Sequence, residues 1–541
     1  MEISIIQNLD YFILFIVPIF LFFFLIIFHK IVSNKYIVFL IHLLIFTLFL
    51  LLYINNRGPD IFMYLFLFQF LNFTIYLRNS KYDSSKLIKK YFFISISILL
   101  VVQINTNIYN SNKEYLESDR NYKVFFQSID NFGDTIKLAV SFDFIFDRSE
   151  VKDIKGINQK FYQNNEYFLE HIKLICKDNM ENPSCAKGFY KNTPRHYGLP
   201  PLYLSTVVIF GYILKFLNSV FLLMIFLSFL TIFIVYLTFR KYFFEKRFFY
   251  LFITLTSFPF YFAIQRANFV SVIVFVLLMN IFYKKYFENS FNFFELILLS
   301  LIINFRPNLI LIAPLFVFEK NIVLFFKNSL KLGVLIFSVF FISFKYLTIS
   351  IYNYSLDILV NNFILYADEL LNQYIVEGAE GYNSSLYSFL LMFNESFAEL
   401  LFNLGFSLEN LNRSVINNFV FIILILICLY VYFLYSNNKL KFDESFIVLL
   451  ISSLIISPKI ADYYLTLLLI PLFLYLNLKE LNRKKIMTLF FIFFVLLPKP
   501  HSFIVPVYGV SLGLFFNCLT LLFIIFFIIF ERKNYTNDKR K

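Results

Sequence analysis

The sequence predicts an all-α, polytopic transmembrane protein, and three observations carry that prediction. Of 541 residues, 59% are hydrophobic and only 15% are charged. The apolar residues stand in unbroken runs, such as Tyr11 to Phe28, close to the roughly 20 residues that a helix needs to cross a bilayer. The basic residues stand in short clusters between those runs, as cytoplasmic loops require. A soluble fold has no way to bury so many apolar runs of that length. The net charge of +13 is spread over the loops and forms no continuous basic face, which argues against a nucleic-acid partner. Phe accounts for 80 residues and Trp for none. This bias runs through the whole chain, so no single aromatic cluster is read as a binding platform.

The first run, Tyr11 to Phe28, is preceded by Glu2 and Asp10 and by no base, so it reads as a retained helix and not as a signal peptide. Basic clusters expected in the cytoplasm are Lys30 and Lys35, Arg78 to Lys90, Arg240 to Arg247, Lys284 with Lys285, and Lys320 to Lys331. Lys439 with Lys441, Lys479 to Lys485, and the tail from Arg532 to Lys541 complete the set. Paired crossings between them put Asn55 to Asp60, Gln265 to Asn268, Arg306 to Asn308, Ser457 to Tyr463 and Pro498 to His501 on the opposite face. Two longer outer stretches, 108–198 and 351–416, are expected there too, and the total is about 15 spans.

The stretch from Leu199 to Phe239 is long enough for two spans, while its flanks demand an odd number. One true crossing is expected, with the part after Pro200 and Pro201 lying shallow or re-entrant beside a site, because irregular backbone at membrane depth needs protein or a wet cavity to cover it. The outer stretch 108–198 is polar, carries many carboxylates, and contains amphipathic pieces such as Tyr122 to Ile129. Cys176 and Cys185 lie in it, either bonded or as two thiols, whereas Cys428 and Cys518 sit in apolar spans and read as packing. Leu386 to Leu404, with Glu395 and Glu399 among apolar residues, is expected to lie along the membrane interface.

No phosphate loop, dinucleotide fingerprint or HExxH motif is present, and there are five histidines. Polar residues concentrate instead at the outer ends of helices, where keeping an ionisable group at the edge of hydrocarbon is costly and points to a site. Four segments stand out. Ser257 to Asn268 is an apolar helix ending in Gln265, Arg266 and Asn268. Asn304, Arg306, Pro307 and Asn308 form a cationic turn between two short apolar halves. Tyr197, Pro200, Pro201 and Tyr203 close the first outer loop. Ser457, Pro458, Lys459, Asp462, Tyr463 and Tyr464 open a late span.

Taken in order, these segments resemble the C-type (GT-C) membrane glycosyltransferases, closest to the family 87 transferases that use polyprenyl-phosphate sugars. The resemblance covers about residues 92–480; Ala267 stands where Gly is usual and Arg306 where Lys is common. It implies a GT-C-like catalytic core over 92–480, preceded by three transmembrane helices in 1–91 and followed by 481–541, with C-terminal helices and a basic tail. It further implies a sugar donor on a polyprenyl phosphate, a lipid or glycan acceptor, and transfer at the outer face of a cell (inner) membrane with inversion. Arg306, Arg266 and Lys459 are then candidates to neutralise the leaving phosphate, and Gln265, Asn268 and Tyr197 to bind substrate. The general base is sought among first-loop carboxylates. Asp119 looks most like the family's acidic position, with Asp130, Asp134 and Asp143 as competitors.

Other readings remain beside these. Gln265 and Asn268 also suit helix capping, and Arg266 and Arg306 also suit snorkelling to headgroups. Arg57 to Asp60 suits a turn with an ion pair, or a second acidic site of the kind found in polysaccharide polymerases. Lys499 and His501 read as a plain loop or as contacts to the donor. The rival functions are a surface-polysaccharide polymerase or ligase, and a transporter of lipid-linked oligosaccharide, although no internal repeat supports the latter. No cofactor and no metal are expected; the partners expected are the donor, the acceptor and membrane lipids, with no nucleic acid.

Overall fold

Proline and asparagine decide where the apolar runs bend. The computed structural model of the protein describes residues 201–203, 205–206, 209–210, 213, 220–265, 268–288, 291–319, 321–350, 385–387, 389–390, 413–456, 462–478, 481–496, 503–505 and 510–530. Helix α1 (Val220–Tyr242) is apolar until Arg240 and Lys241 in its last turn, where cations suit the negative end of the helix dipole. A 3₁₀ turn (Phe244–Lys246) leads into α2 (Arg247–Thr256). Pro259 has no N–H with which to continue the α2 ladder, so the chain breaks at Ser257 and resumes as α3 (Phe258–Gln265). Ser257 closes the break by donating its hydroxyl to Thr254 O at 2.8 Å.

Helix α4 (Phe269–Glu288) follows. Helix α5 (Phe293–Phe305) begins where Asn292 N donates to Glu295 Oε2 at 2.7 Å, satisfying one of the orphan donors of a helix start. It stops because the residue before a proline avoids the helical region. Arg306, before Pro307, sits at φ −141°, ψ 86°. The chain returns as a 3₁₀ helix (Pro307–Ile312) and α6 (Ala313–Val317). Helix α7 (Ile322–Ser350) is capped by Asn321, whose Oδ1 accepts from Val323 N at 3.0 Å. Helix α8 (Arg413–Ser436) ends in a turn where Asn438 takes the left-handed conformation, φ 54°, that asparagine tolerates. Then come α9 (Phe442–Ile455), a 3₁₀ stretch (Asp462–Leu468), α10 (Leu469–Asn477) and α11 (Arg483–Leu496). A two-stranded antiparallel ladder, β1 (Phe503–Val505) with β2 (Val510–Ser511), pairs Phe503 with Ser511 and leads into α12 (Leu512–Phe530). The described residues are otherwise helical, as the all-α expectation requires.

The chain divides into two units, Met1–Leu99 with Tyr475–Phe494 and Leu100–Leu474 with Val495–Lys541. In the first, the described residues are the end of α10 and most of α11, which starts with Lys485 N donating to Asn482 Oδ1 at 2.9 Å. The second contains everything else described and runs up and down between two ends. At one end the basic turns gather. Tyr242 stacks on Phe287 at 6.3 Å, Phe291 on Phe316 at 5.8 Å, Phe282 on Phe442 at 5.6 Å, and Phe318 meets Tyr435 edge-on at 5.1 Å. Arg240 to Arg247, Lys284, Lys285, Lys439 and Lys441 therefore share one end, as the charge pattern predicted. Here Lys284 pairs with the buried Glu295, tying α4 to α5.

Helix lengths differ between centre and flank. Three helices are long and apolar enough to cross a membrane over their described residues: α4, α7 and α8. The share of the apolar stretch that is buried falls from 67% in α4 to 28% in α8 and 6% in α7, so α4 is central while α7 lies at the periphery. Between them stand shorter limbs. The 13 residues of α5 rise about 20 Å at ~1.5 Å each. The 6 residues of the 3₁₀ helix and the 5 of α6 descend about 20 Å at ~2.0 and ~1.5 Å each. A hydrocarbon core is roughly 30 Å thick.

This corrects the span count where residues are described. The expected figure of about 15 treats each apolar run as one full crossing, whereas three helices qualify among the described residues. The run from Phe293 to Val317 does fold back at Arg306 and Pro307, as the expected outer turn requires, but its two limbs are too short to qualify as crossings. The spans expected before residue 201 lie outside the described residues. Of the Leu199 to Phe239 stretch, α1 is a single helix, and Ser205 near its beginning donates to Ser343 O in the last third of α7 at 3.1 Å. Of the Leu386 to Leu404 stretch, Tyr387 is buried with Ile416 of α8, and residues 391–404 lie outside the described residues. Cys428 and Cys518 are buried free thiols, as expected for packing.

Candidate functional site

Three of the four sequence motifs meet at the end opposite the basic turns. The tip of the α5 hairpin supplies Arg306 and Asn308, the start of α4 supplies Asn268 and Ser271, and the 3₁₀ stretch after residue 461 supplies Tyr464. Phe210, downstream of the proline pair of the fourth motif, meets Phe269 edge-on at 6.2 Å and so borders the same place.

Asn268 is positioned by its backbone, whose N–H donates to Ala263 O at 2.8 Å across the turn after α3. Its side chain caps α4: Oδ1 accepts from Ser271 N at 3.1 Å and from Ser271 Oγ at 2.8 Å. Both residues are buried. Ser271 Oγ in turn accepts from Arg306 Nη2 at 2.8 Å. One hydroxyl therefore links the helix cap to the cation, donating to one and accepting from the other.

Arg306 is half-buried, and its guanidinium lies over the Tyr464 ring, 3.4 Å from the ring centre. A ring face is negative and attracts a cation, so the ring holds the guanidinium against a fixed surface. Among the described residues no carboxylate pairs with Arg306. A guanidinium offers two two-pronged edges, Nε–H with Nη2–H and Nη1–H with Nη2–H. Ser271 takes one Nη2 hydrogen, which leaves one such edge whole, and a two-pronged edge matches the oxygens of a phosphate or carboxylate.

The hairpin tip is pinned on its other sides. Asn304 Nδ2 donates to Ser300 O at 2.8 Å and across to Ile336 O of α7 at 3.1 Å. Asn308 Nδ2 donates at 2.6 Å to Ser453 O, a carbonyl in the last turn of α9. Tyr432 of α8 donates to Leu311 O on the descending limb. Pro307 at the turn is exposed.

Of the predicted site residues, Asn268 and Arg306 are brought together through Ser271. Gln265 is the last residue of α3. Asp119, Asp130, Tyr197, Arg266 and Lys459 lie outside the described residues, as do Asp134, Asp143, Cys176 and Cys185. For Asn268 the capping alternative is the observed one. Ser271 was not singled out in the sequence, although Asn268-x-x-Ser271 before an apolar run is a capping spacing. Tyr464 belongs to the segment that opens the late span, and nothing local marks it as the partner of a distant arginine. Among the described residues no three His, Cys, Asp or Glu side chains are grouped to hold a metal. The chain matches no protein-family model, no curated protein and no solved structure.

Proposed function

We propose that the protein is a membrane glycosyltransferase that moves a sugar from a polyprenyl-phosphate donor to a lipid or glycan acceptor. What supports this is Arg306, a cation without a carboxylate partner among the described residues, held at the end of the bundle opposite the basic turns with one two-pronged edge open. A group transfer from a lipid phosphate needs such a cation where charge develops as the glycosidic bond breaks.

In this reading the acceptor oxygen bonds to the anomeric carbon while the bond from that carbon to the phosphate oxygen breaks. The electron pair leaves with the polyprenyl phosphate, and Arg306, with Arg266 and Lys459, receives the negative charge. Asp119, or Asp130 in its place, takes the acceptor hydroxyl proton. Attack from the face opposite the leaving group inverts the anomeric centre. Gln265 and Tyr197 bind the sugar; Asn268 serves by shaping the start of α4. The reaction lies at the outer face of a cell (inner) membrane, since the opposite end carries the basic turns.

The test is incorporation of radiolabelled sugar from a polyprenyl-phosphate donor into membrane lipid or glycan, with intact protein, Asp119→Asn and Arg306→Ala at matched expression. Transfer by the intact protein and its loss in both variants is the expected result. Loss in Arg306→Ala alone moves the base to another first-loop carboxylate. No transfer from any such donor, with unpolymerised lipid-linked repeat units accumulating in cells that lack the protein, rejects the transferase in favour of a polymerase.

A further inference from the structure

The open edge of Arg306 is useful only if the side chain is already aimed. A free arginine samples many rotamers, and each one frozen on binding weakens the complex. Here two contacts from separate elements hold the guanidinium. The Tyr464 ring, 3.4 Å away, fixes the tilt of the guanidinium plane. The Ser271 hydroxyl, 2.8 Å from Nη2, fixes its rotation within that plane. The hydroxyl is itself committed, because its own proton goes to Asn268 Oδ1 at 2.8 Å and only its lone pairs are left to face the cation. Asn268 and Ser271 are buried, so water competes poorly for these bonds. The backbone under Arg306 is held as well, by Leu309 N donating to Arg306 O at 3.0 Å.

We propose that Ser271 and Tyr464 are positioning residues that lock Arg306 in its ligand-receiving orientation, with Asn268 setting the polarity of the Ser271 hydroxyl. The inference rests on the proposed role of Arg306 in receiving the phosphate of a lipid-linked donor. It adds two residues that the sequence motifs left without a role. Neither touches the ligand in this scheme; each acts through the arginine.

The experiment measures binding of undecaprenyl phosphate to the full-length protein in nanodiscs of zwitterionic lipid, by native mass spectrometry. Five variants are compared with the wild type: Arg306→Ala, Ser271→Ala, Ser271→Thr, Tyr464→Leu and Tyr464→Phe. Loss of a hydrogen bond to a charged group predicts binding about tenfold weaker in Ser271→Ala. Loss of the ring predicts about fivefold weaker binding in Tyr464→Leu. Ser271→Thr keeps the hydroxyl and Tyr464→Phe keeps the ring, so both are expected to bind within about twofold of the wild type. A merely structural role for either residue does not sort variants by hydroxyl and ring in this way. If Arg306→Ala abolishes binding while Ser271→Ala and Tyr464→Leu bind like the wild type, the positioning role is overturned and the phosphate role of Arg306 stands. If Arg306→Ala binds like the wild type, the phosphate role fails and the positioning role falls with it. The Tyr464 pair decides the matter independently if Ser271→Ala does not fold.

Discussion

The guanidinium carbon of Arg306, at the tip of a short helical hairpin, stands 3.4 Å from the centre of the Tyr464 ring, on an element that begins after α9. A planar cation on a planar ring is an arrangement that lysine does not reproduce, because an ammonium is a point charge with no fork and no flat face. Arg306→Lys is therefore expected to retain charge and lose function. Sugar transfer measured as kcat/KM should fall about 10- to 100-fold, the equivalent of ~1.4–2.7 kcal/mol. Wild-type kcat/KM in Arg306→Lys excludes a role for the planar group.

Asn308 fastens the hairpin to α9 through Ser453 O. Removing the amide leaves that carbonyl without its partner, at a cost of about 1–2 kcal/mol. Asn308→Ala should lower the thermal unfolding midpoint of the purified protein by a few degrees. An unchanged midpoint means that water or another donor satisfies Ser453 O in the variant.

The Lys284–Glu295 pair lies at the basic end, far from Arg306, with Glu295 buried. Breaking a buried pair on one side strands a charge, while removing both partners does not. Lys284→Met is expected to destabilise the protein, and Lys284→Met with Glu295→Gln to do so clearly less. Unfolding in graded denaturing detergent compares them; equal losses in single and double variants rule out this coupling.

Depth is the fourth consequence. With limbs that rise about 20 Å against a core of roughly 30 Å, the hairpin tip is predicted to lie recessed from the far membrane surface. Pro307 at that tip is exposed. In a variant with Cys176 and Cys185 replaced by Ser, and with Cys428 and Cys518 buried, Pro307→Cys should react with a small charged thiol reagent added from that side. It should resist a polymer-linked maleimide. Equal rates with both reagents place the tip at the surface.

Part of the site was legible because its chemistry is costly to hide. An arginine and an asparagine at the ends of apolar runs announce themselves by their type alone, and the charge pattern correctly sent the basic turns of α1 to α9 to one end. Helix breaks at Ser257 and Arg306 follow from Pro259 and Pro307, whose effects are local. The Asn268 cap was one of two readings that its position allowed. Ser271 escaped notice because a serine one turn into an apolar helix is ordinary until an arginine from another helix meets it.

The sequence by itself determined that the chain is helical and built for a membrane, and that its polar residues collect at the outer ends of helices, because run length, charge clusters and prolines act on their own neighbourhood. The tertiary structure decided which of those ends converge, that the short hairpin from Phe293 to Val317 stands between longer helices, and that Tyr464 and Ser271 hold Arg306. The physical reason is reach. Hydropathy records how many apolar residues stand in a row, whereas the depth of a helix end and the partner of a cation depend on packing between elements far apart in the chain, which no local pattern encodes.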